Sequence, residues 1–475
     1  MTAPSELTLQ YRWKLVRTDG SPHLLYYGVR NPPRHHEVLV PVSEELAGRL
    51  ESGAALNDDS PEILALSEQG ILVPPGKVRQ APTPETMQTC TRCVTNDYVV
   101  PGLEFDEEGV CALCRCYELP APKRHSAFAT VTEQELRQLG ENSHGSRFDA
   151  MVLYTGGKDS SFMLWLLARK FGLRVLAVFW DMPYCSEAAY ANIHRARTAM
   201  PEVEFVQWTI SLNTVHRAMA AKWRSHGWPC LCPSPAFALF YPMAARMGIP
   251  HVFLGVEDIQ AAVLDHVVAP AGPSGTPPTP REQTLRFLAT RAIPRPQKVP
   301  VRWPDEMANY HAAVRDVLPN EFAELTELVE QASRDENVHL PLIARLETNE
   351  AYGTWKDAQH IIETEMGWRR PENQDSLLHT SCVLEPVKDY LQMERFRAMR
   401  TVFMPQSMVE LGAAVSFGLT PREEALASVK ELGYWAPPPV LERLTNDLGV
   451  TPEDVAEATD ELPSGMARWA GVDHA

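Results

Sequence analysis

Eight residues, Tyr154-Thr155-Gly156-Gly157-Lys158-Asp159-Ser160-Ser161, constrain this chain more than any other stretch. They follow the apolar run Ala150-Met151-Val152-Leu153, which predicts a buried parallel strand. They precede Phe162 to Lys170, whose composition predicts a helix. Two adjacent glycines let the backbone turn sharply and approach a ligand closely. The helix start offers unpaired N–H groups and the positive end of a dipole. A strand, a Gly-Gly turn and a helix N-terminus therefore make an anion site suited to phosphate. Thr155, Ser160 and Ser161 add hydroxyls and Lys158 adds a positive charge, with Asp159 beside it. The spacing is not the G-x-x-x-x-G-K-[ST] of a Walker A loop.

What surrounds the loop extends the pattern. Arg174 to Trp180, Val203 to Ile210 and His251 to Gly255 read as strands. Ala188 to Met200, Thr214 to His226 and Pro235 to Met247 read as helices between or before them. Alternation of this kind predicts an α/β fold with a doubly wound parallel sheet. Ligands in such sheets sit beyond the carboxyl ends of the strands, where Asp181 and Gly255-Val256-Glu257-Asp258 fall. Gly255 permits close approach to a nucleotide. Asp181, Glu257 and Asp258 are candidates for the ribose or for Mg²⁺, and each also reads as a solvated loop charge.

The chain has nine cysteines, an odd number with four in C-x2-C pairs. Cys90-x2-Cys93 and Cys111-x2-Cys114 are separated by a zinc-type interval. Four thiolates can surround a tetrahedral Zn²⁺ and leave no open position, which makes a structural site. Cys116 reads as a spectator thiol. Cys230 and Cys232, in Trp228-Pro229-Cys230-Leu231-Cys232-Pro233, and Cys382, in His379-Thr380-Ser381-Cys382, admit two readings. Free cysteines are often small buried hydrophobes. Thiolates are also strong nucleophiles and soft ligands, able to carry sulfur or hold an iron–sulfur cluster.

Four segments follow: a small α+β N-terminal module over 1–80, a cysteine-rich segment over 81–125, the α/β domain over 126–303 and a mainly helical region over 304–475. In the module, Leu9 to Val16, His23 to Tyr27 and Glu37 to Val40 read as strands; Ser43 to Leu50 and Pro61 to Gln69 read as helices. Val268 to Pro280, rich in Pro, Gly, Ser and Thr, reads as a flexible crossing or lid. Arg281, Arg286, Arg291, Arg295, Lys298 and Arg302 form a basic run that either grips an anion or is a solvated face. Thr420-Pro421-Arg422-Glu423-Glu424-Ala425 predicts a helix start with Thr420 as N-cap. The formal net charge of −17 argues against a nucleic-acid partner. No apolar run is long enough to span a membrane and no signal peptide is read. With its cysteine usage, this predicts a reducing cytoplasmic location.

The loop resembles the SGGxDS loop of the PP-loop ATP pyrophosphatases, with Thr155 in place of the first serine. That resemblance implies an adenine nucleotide alpha-hydrolase-like fold, ATP and Mg²⁺ as cofactors, nucleotide contacts from 155–161, and catalytic roles for Lys158, Asp159 and Ser160. From Cys90 onward the chain resembles the N-acetyl sugar amidotransferases. The resemblance is carried by the two cysteine pairs, the TGGKDSS loop, Val387-Lys388-Asp389-Tyr390-Leu391 and Gly418-Leu419-Thr420-Pro421-Arg422-Glu423-Glu424-Ala425. It implies adenylation of an amide or carboxyl oxygen of a small-molecule acceptor, with release of pyrophosphate, and displacement of AMP by ammonia. The ammonia is expected from a separate glutaminase, because the sequence begins Met1-Thr2 and offers no N-terminal cysteine nucleophile. The alternative is a PP-loop sulfur transferase, with Cys230, Cys232 and Cys382 as sulfur carriers or iron–sulfur ligands. The N-terminal module loosely resembles the PqqD-like modules, which implies a peptide partner; the other reading is a cap packed on the enzyme.

Overall fold

The computed structural model describes residues 6–119, 129–141, 145–255, 279–291, 318–346, 353–455 and 461–462, apart from a few isolated positions within those stretches. Its centre is a six-stranded sheet. In chain order the strands among the described residues are β1 (Thr8–Leu9), β2 (Trp13–Thr18), β3 (Ser21–Tyr26), β4 (Leu39–Pro41), β5 (Leu72–Val73), β6 (Ala129–Val131), β7 (Ala150–Leu153), β8 (Val175–Asp181), β9 (Glu204–Thr209), β10 (His251–Leu254), β11 (Leu342–Leu346) and β12 (Glu461–Leu462). The large sheet has the order β6-β11-β10-β7-β8-β9, and every pairing in it is parallel. From β7 the chain proceeds outward through β8 and β9, then returns to the other side of β7 for β10 and β11. The order therefore reverses between β7 and β10, and the crevice at that switch point is where such sheets hold ligands.

Alternate residues of β7 feed two separate cores. Ala150 and Val152 join one apolar cluster with Phe162, Leu166 and Ile362, while Met151 joins the other with Trp223, Phe237 and Phe240. Both faces of the sheet are thus covered, as an all-parallel sheet requires. The strands predicted from sequence fall within a residue or two of the observed ones. The helix after the loop begins earlier than predicted: Lys158–Trp165 is α-helical, and Leu166–Lys170 continues it as a π-turn. The region 304–475 was expected to be helical, yet Leu342–Leu346 is a strand paired with β10 and β6. Its sequence, Leu-Ile-Ala-Arg-Leu, is short and mostly apolar, and periodicity alone does not separate such a run from a helix. The helix start predicted at Thr420 comes one residue later, with Pro421 as N-cap and no side-chain cap bond.

The N-terminal module carries β2, β3 and β4 as an antiparallel set, with β12 added parallel to β2. Helices Glu44–Ser52 and Pro61–Glu68 cover it. The first predicted strand is split, because Arg12 sits at φ +73 in the turn between β1 and β2. The module is packed firmly on the rest of the chain. Val29 bridges Leu103, and a side chain at Gly28 would come within 2.4 Å of the Gly102 carbonyl. Among the described residues no helix is long and apolar enough to cross a membrane.

Candidate functional site

The loop predicted to hold phosphate lies at the switch point. Gly156 has φ +72, a conformation side chains rarely adopt, and a Cβ there would sit 2.4 Å from the Ala189 carbonyl. Its own carbonyl accepts from Trp368 Nε1 at 3.0 Å and from Asn192 Nδ2 at 3.3 Å. Gly157 is the N-cap of the following helix at φ −75. Ser160 Oγ accepts from Thr155 N at 3.2 Å and lies 3.0 Å from Thr155 Oγ1. Ser161 is fully buried, with Oγ 3.3 Å from Tyr154 Oη. These bonds fix the turn before any ligand arrives.

Lys158 is almost wholly buried. Its ammonium contacts the Asp159 carboxylate and stands 4.8 Å from the centre of the Trp355 ring. Gly255, expected to face a nucleotide, instead follows β10 directly behind the loop helix; a Cβ there would be 2.7 Å from Ser160 N. Asp181 ends β8 and is engaged by Tyr190, by Gln207 Nε2 and by Thr209 Oγ1, the last two at 3.2 Å. Glu257, Asp258 and nearly all of the Val268 to Pro280 crossing lie outside the described residues. Of the basic run, Arg281 is described: it donates to the carbonyls of Val338, Ala332 and Asp335, at the end of helix Pro319–Arg334. That is a helix-terminus contact rather than a grip on a ligand.

A distant segment covers the loop. Lys158 N donates to Thr380 Oγ1 at 3.0 Å, and Ser381 Cβ stands 3.2 Å from where a Gly157 Cβ would be. The same segment pairs with the turn after β8: Ser186 N donates to Ser381 O, Val383 N to Tyr184 O, and Cys185 bridges Cys382. The structure thereby brings Cys382 to the loop, and with it Cys185, which the sequence reading passed over. Its position just past a strand's carboxyl end was the available signal.

Cys230 and Cys232 meet this segment from the other side. They follow helix Leu212–His226, and Gly227 at φ +99 turns the chain against Arg395. Lys222, buried in that helix, contacts the Cys230 carbonyl and lies 5.6 Å from the Trp228 ring centre. Burial brings its amine down to about 8. Cys230 is buried, whereas Cys232 is exposed, with Sγ 3.8 Å from Met182 Sδ. The Cys232 thiol, with help from Lys222, outweighs burial and brings Cys230 down to about 6. Cys232 moves the opposite way, raised by Cys230 and by its surroundings. Burial, then Glu385 and Cys230, raise Cys382. The three thiols share one electrostatic neighbourhood. They do not close to the spacing of a single ion: among the described residues, the one group of three or more Cys, His, Asp or Glu whose ligand atoms lie within 4.8 Å of one another is Cys90, Cys93, Cys111 and Cys114.

Charged groups of helix Glu385–Arg397 line the base of the site. Burial opposes the charges, but Lys388 and His379 hold Glu385 down to about 2. Lys388 contacts Glu385 and is held firmly protonated by it and by Asp389 against burial. His379, in the left-handed region at φ +53, has Nε2 3.1 Å from Glu410 Oε2. That contact lacks hydrogen-bond alignment, so charge attraction, which is not directional, is what binds the pair.

The four-cysteine group is separate from this site. Cys90 and Cys114 Sγ lie 3.9 Å apart, and Cys93 and Cys111 Sγ 3.7 Å. A tetrahedral ion with metal–sulfur bonds of about 2.3 Å needs sulfurs about 3.8 Å apart. A four-iron cube, with one thiolate per iron, needs them farther apart. N–H groups of Cys93, Cys111 and Thr95 point at the sulfurs, at 3.4, 3.2 and 3.4 Å. Gly109, two residues before Cys111, turns the chain at φ +75. Arg422 donates to the carbonyls of Cys93 and Cys90 at 2.9 and 2.8 Å. Cys116 is buried outside the group.

No family model and no curated protein matches the chain. Among solved structures it is similar to a U34-tRNA thiolase, NcsA, from Methanococcus maripaludis with its 4Fe–4S cluster: 11% identity, 53% of this chain and 82% of that chain covered, TM-score 0.20. A score that low establishes no shared function, and the assignment of an α/β, parallel-sheet architecture rests on the strand order and the loop themselves.

Proposed function

We propose that this protein is an ATP pyrophosphatase of the PP-loop type that activates a carbonyl-type oxygen of an acceptor and replaces it with sulfur. The observation that supports the reading is Cys382 on the segment that covers the loop, Cys232 against Met182 in the turn which that segment pairs with, and Cys230, Lys222 and Lys388 in the same electrostatic neighbourhood. In the reaction, the acceptor oxygen attacks the α-phosphorus of ATP and pyrophosphate leaves. The loop N–H groups, the helix dipole and Ser160 hold the pyrophosphate as its charge develops. A sulfur nucleophile then attacks the adenylated carbon and AMP departs with the oxygen. Cys230, the thiol most easily ionised, carries that nucleophile as the outer sulfur of a persulfide taken from a persulfide donor; a Cys232 or Cys382 thiolate then attacks the Cys230 sulfur, which releases the thiocarbonyl product and leaves a disulfide for an external thiol to reduce. A Mg²⁺ ion bound with ATP would neutralise phosphate charge. The four-cysteine group is proposed to hold structural zinc, because its spacing suits one closed tetrahedral ion.

Ammonia as nucleophile is the second reading, favoured by the segments that resemble the amidotransferases. Both have structural work in this protein. Arg422 of the Thr-Pro-Arg-Glu-Glu-Ala segment braces the four-cysteine knuckle, and Asp389 accepts from Tyr434 Oη at 3.2 Å in the interior. Neither residue selects nitrogen over sulfur. The deciding experiment measures pyrophosphate release from ATP with a panel of carbonyl-bearing acceptors, supplied in turn with a persulfide donor and with ammonium. Turnover with the sulfur donor, lost in Cys230→Ala while adenylation persists, is expected. Turnover with ammonium that survives Cys230→Ala and Cys382→Ala would give the amidotransferase reading the lead. ADP and phosphate as principal products would remove both. Iron with acid-labile sulfide in an anaerobic preparation would assign the three thiols to a cluster instead of to carriage.

A further inference from the structure

We propose that a polar cavity of about 770 Å³ behind the nucleotide loop binds a phosphoryl group of a second ligand, and that its occupancy is transmitted to Gly156. Arg195, Arg369 and Arg370 line it, with Glu363, Glu372 and Gln374. No residue of the loop 154–161 is part of the lining, so it is distinct from the phosphate cradle. Two elements supply the arginines. Arg195 lies on helix Glu187–Ala199. Arg369 and Arg370 follow Gly367, the left-handed C-cap of helix Trp355–Met366 at φ +65, whose Cβ position is 3.8 Å from Arg195 Cδ. That reversal sets the pair beside Arg195.

Three guanidinium groups outnumber the two carboxylates, and Glu363 already accepts from Gln359 Nε2 at 2.6 Å. Planar guanidinium forks match phosphate oxygens in pairs, which lysine cannot do. The volume is that of a small-molecule site rather than of a bare ion. A phosphorylated molecule, bound by its phosphate at the arginines, fits both facts.

The coupling runs through Asn192. Its Oδ1 accepts from Arg195 Nη1 and from Arg369 N, both at 2.9 Å. Its Nδ2 donates to Arg369 O at 2.7 Å and to Gly156 O at 3.3 Å. Trp368, next to Arg369, donates to the same Gly156 carbonyl. An anion that draws Arg195 and Arg369 inward therefore pulls on the two groups that hold the loop. Such coupling must be reciprocal. This part of the inference rests on the loop binding a nucleotide; the anion site itself does not.

The test uses the full chain saturated with α,β-methylene-ATP, so that the loop is filled. It is titrated with inorganic phosphate and, separately, with uridine diphosphate, and hydrogen exchange is followed over 367–372. Saturable protection is expected, weakened about tenfold or more when Arg369→Ala and Arg370→Ala are combined. Tighter protection by the diphosphate than by phosphate would identify a nucleotide-like ligand; equal protection would identify phosphate as the whole determinant. Absence of saturable protection, or protection equal in the double variant, overturns the proposal. Failure of the ATP analogue to bind would count against the nucleotide reading alone, since the phosphate titration reads the cavity without it.

Discussion

The backbone N–H of Lys158 donates to the side-chain oxygen of Thr380 at 3.0 Å, although 222 positions separate them in the chain. The donor belongs to the first turn of the loop helix, where unpaired N–H groups are what an anion would use. Under the proposed nucleotide binding, Thr380 occupies the acceptor position that a phosphate oxygen would take. Thr380→Val keeps the shape and removes the oxygen. It should cost about 1–3 kcal/mol in the free protein, the cost of a buried donor left unpaired. A phosphate oxygen would restore the bond, so the melting-temperature rise on adding an ATP analogue should be larger in Thr380→Val than in the parent. Equal rises would mean that the nucleotide does not reach this N–H.

The two loop glycines should fail in different ways. At Gly156, φ is +72 and a Cβ would lie 2.4 Å from the Ala189 carbonyl, so Gly156→Ala should destabilise folding. Gly157 has φ −75 and meets mainly the Ser381 side chain, at 3.2 Å. Gly157→Ala should fold and lose pyrophosphate formation. Far-ultraviolet circular dichroism alongside pyrophosphate release separates the two; a folded, active Gly156→Ala would contradict the geometry.

Metal should travel with the four-cysteine group. Removing the metal with a strong chelator should unfold the segment around Cys90 to Cys114 and loosen helices Gln406–Ser416 and Arg422–Glu431 that pack on it. Binding of this kind is worth about 10–16 kcal/mol in isolated fingers. Metal analysis of Cys111→Ser should show loss of the ion together with loss of solubility. A soluble Cys111→Ser protein deficient only in turnover would make the site catalytic.

Arg12 ties the N-terminal module to the site's helix. Its guanidinium is 1% exposed and donates to Tyr27 O at 2.5 Å, Phe396 O at 2.8 Å and Arg397 O at 2.9 Å, the last two at the end of helix Glu385–Arg397. Burial lowers it to about 10, so it remains charged. Arg12→Ala removes a donor from three carbonyls, of which Phe396 keeps the Met399 N–H, and should cost about 2–3 kcal/mol. Arg12→Lys should recover little, because one ammonium cannot reproduce the fork. Chemical denaturation measures both; full rescue by lysine would show that charge alone matters.

His379 should make stability depend on pH. Burial alone would lower its pKa, but Glu385 and Glu410 outweigh it and push it up to about 9. A folded-state value above the unfolded value of about 6.5 means that the contribution is complete below that pH. It is lost as pH rises through 9. His379→Gln should flatten the stability profile between those limits in urea titrations. A parent profile already flat from neutral pH to 9 would place a neutral imidazole at the pair.

Much of the fold was legible locally. Ala150 to Leu153, the Gly-Gly turn and the two C-x2-C pairs are short-range signals, because strand burial, a left-handed φ and a chelate each depend on neighbours in sequence. Their observed positions match, and the sulfur spacing of Cys90 with Cys114 suits one ion. What sequence could not reveal is which surfaces meet. Gly255 spends its missing side chain on Ser160 rather than on a ligand, and Leu342–Leu346 enters the sheet from far downstream. Cys382 reaches the loop because the Thr380 segment pairs with the turn after β8. Such contacts are set by the order of strands across the sheet, and a single chain carries no periodicity that encodes it.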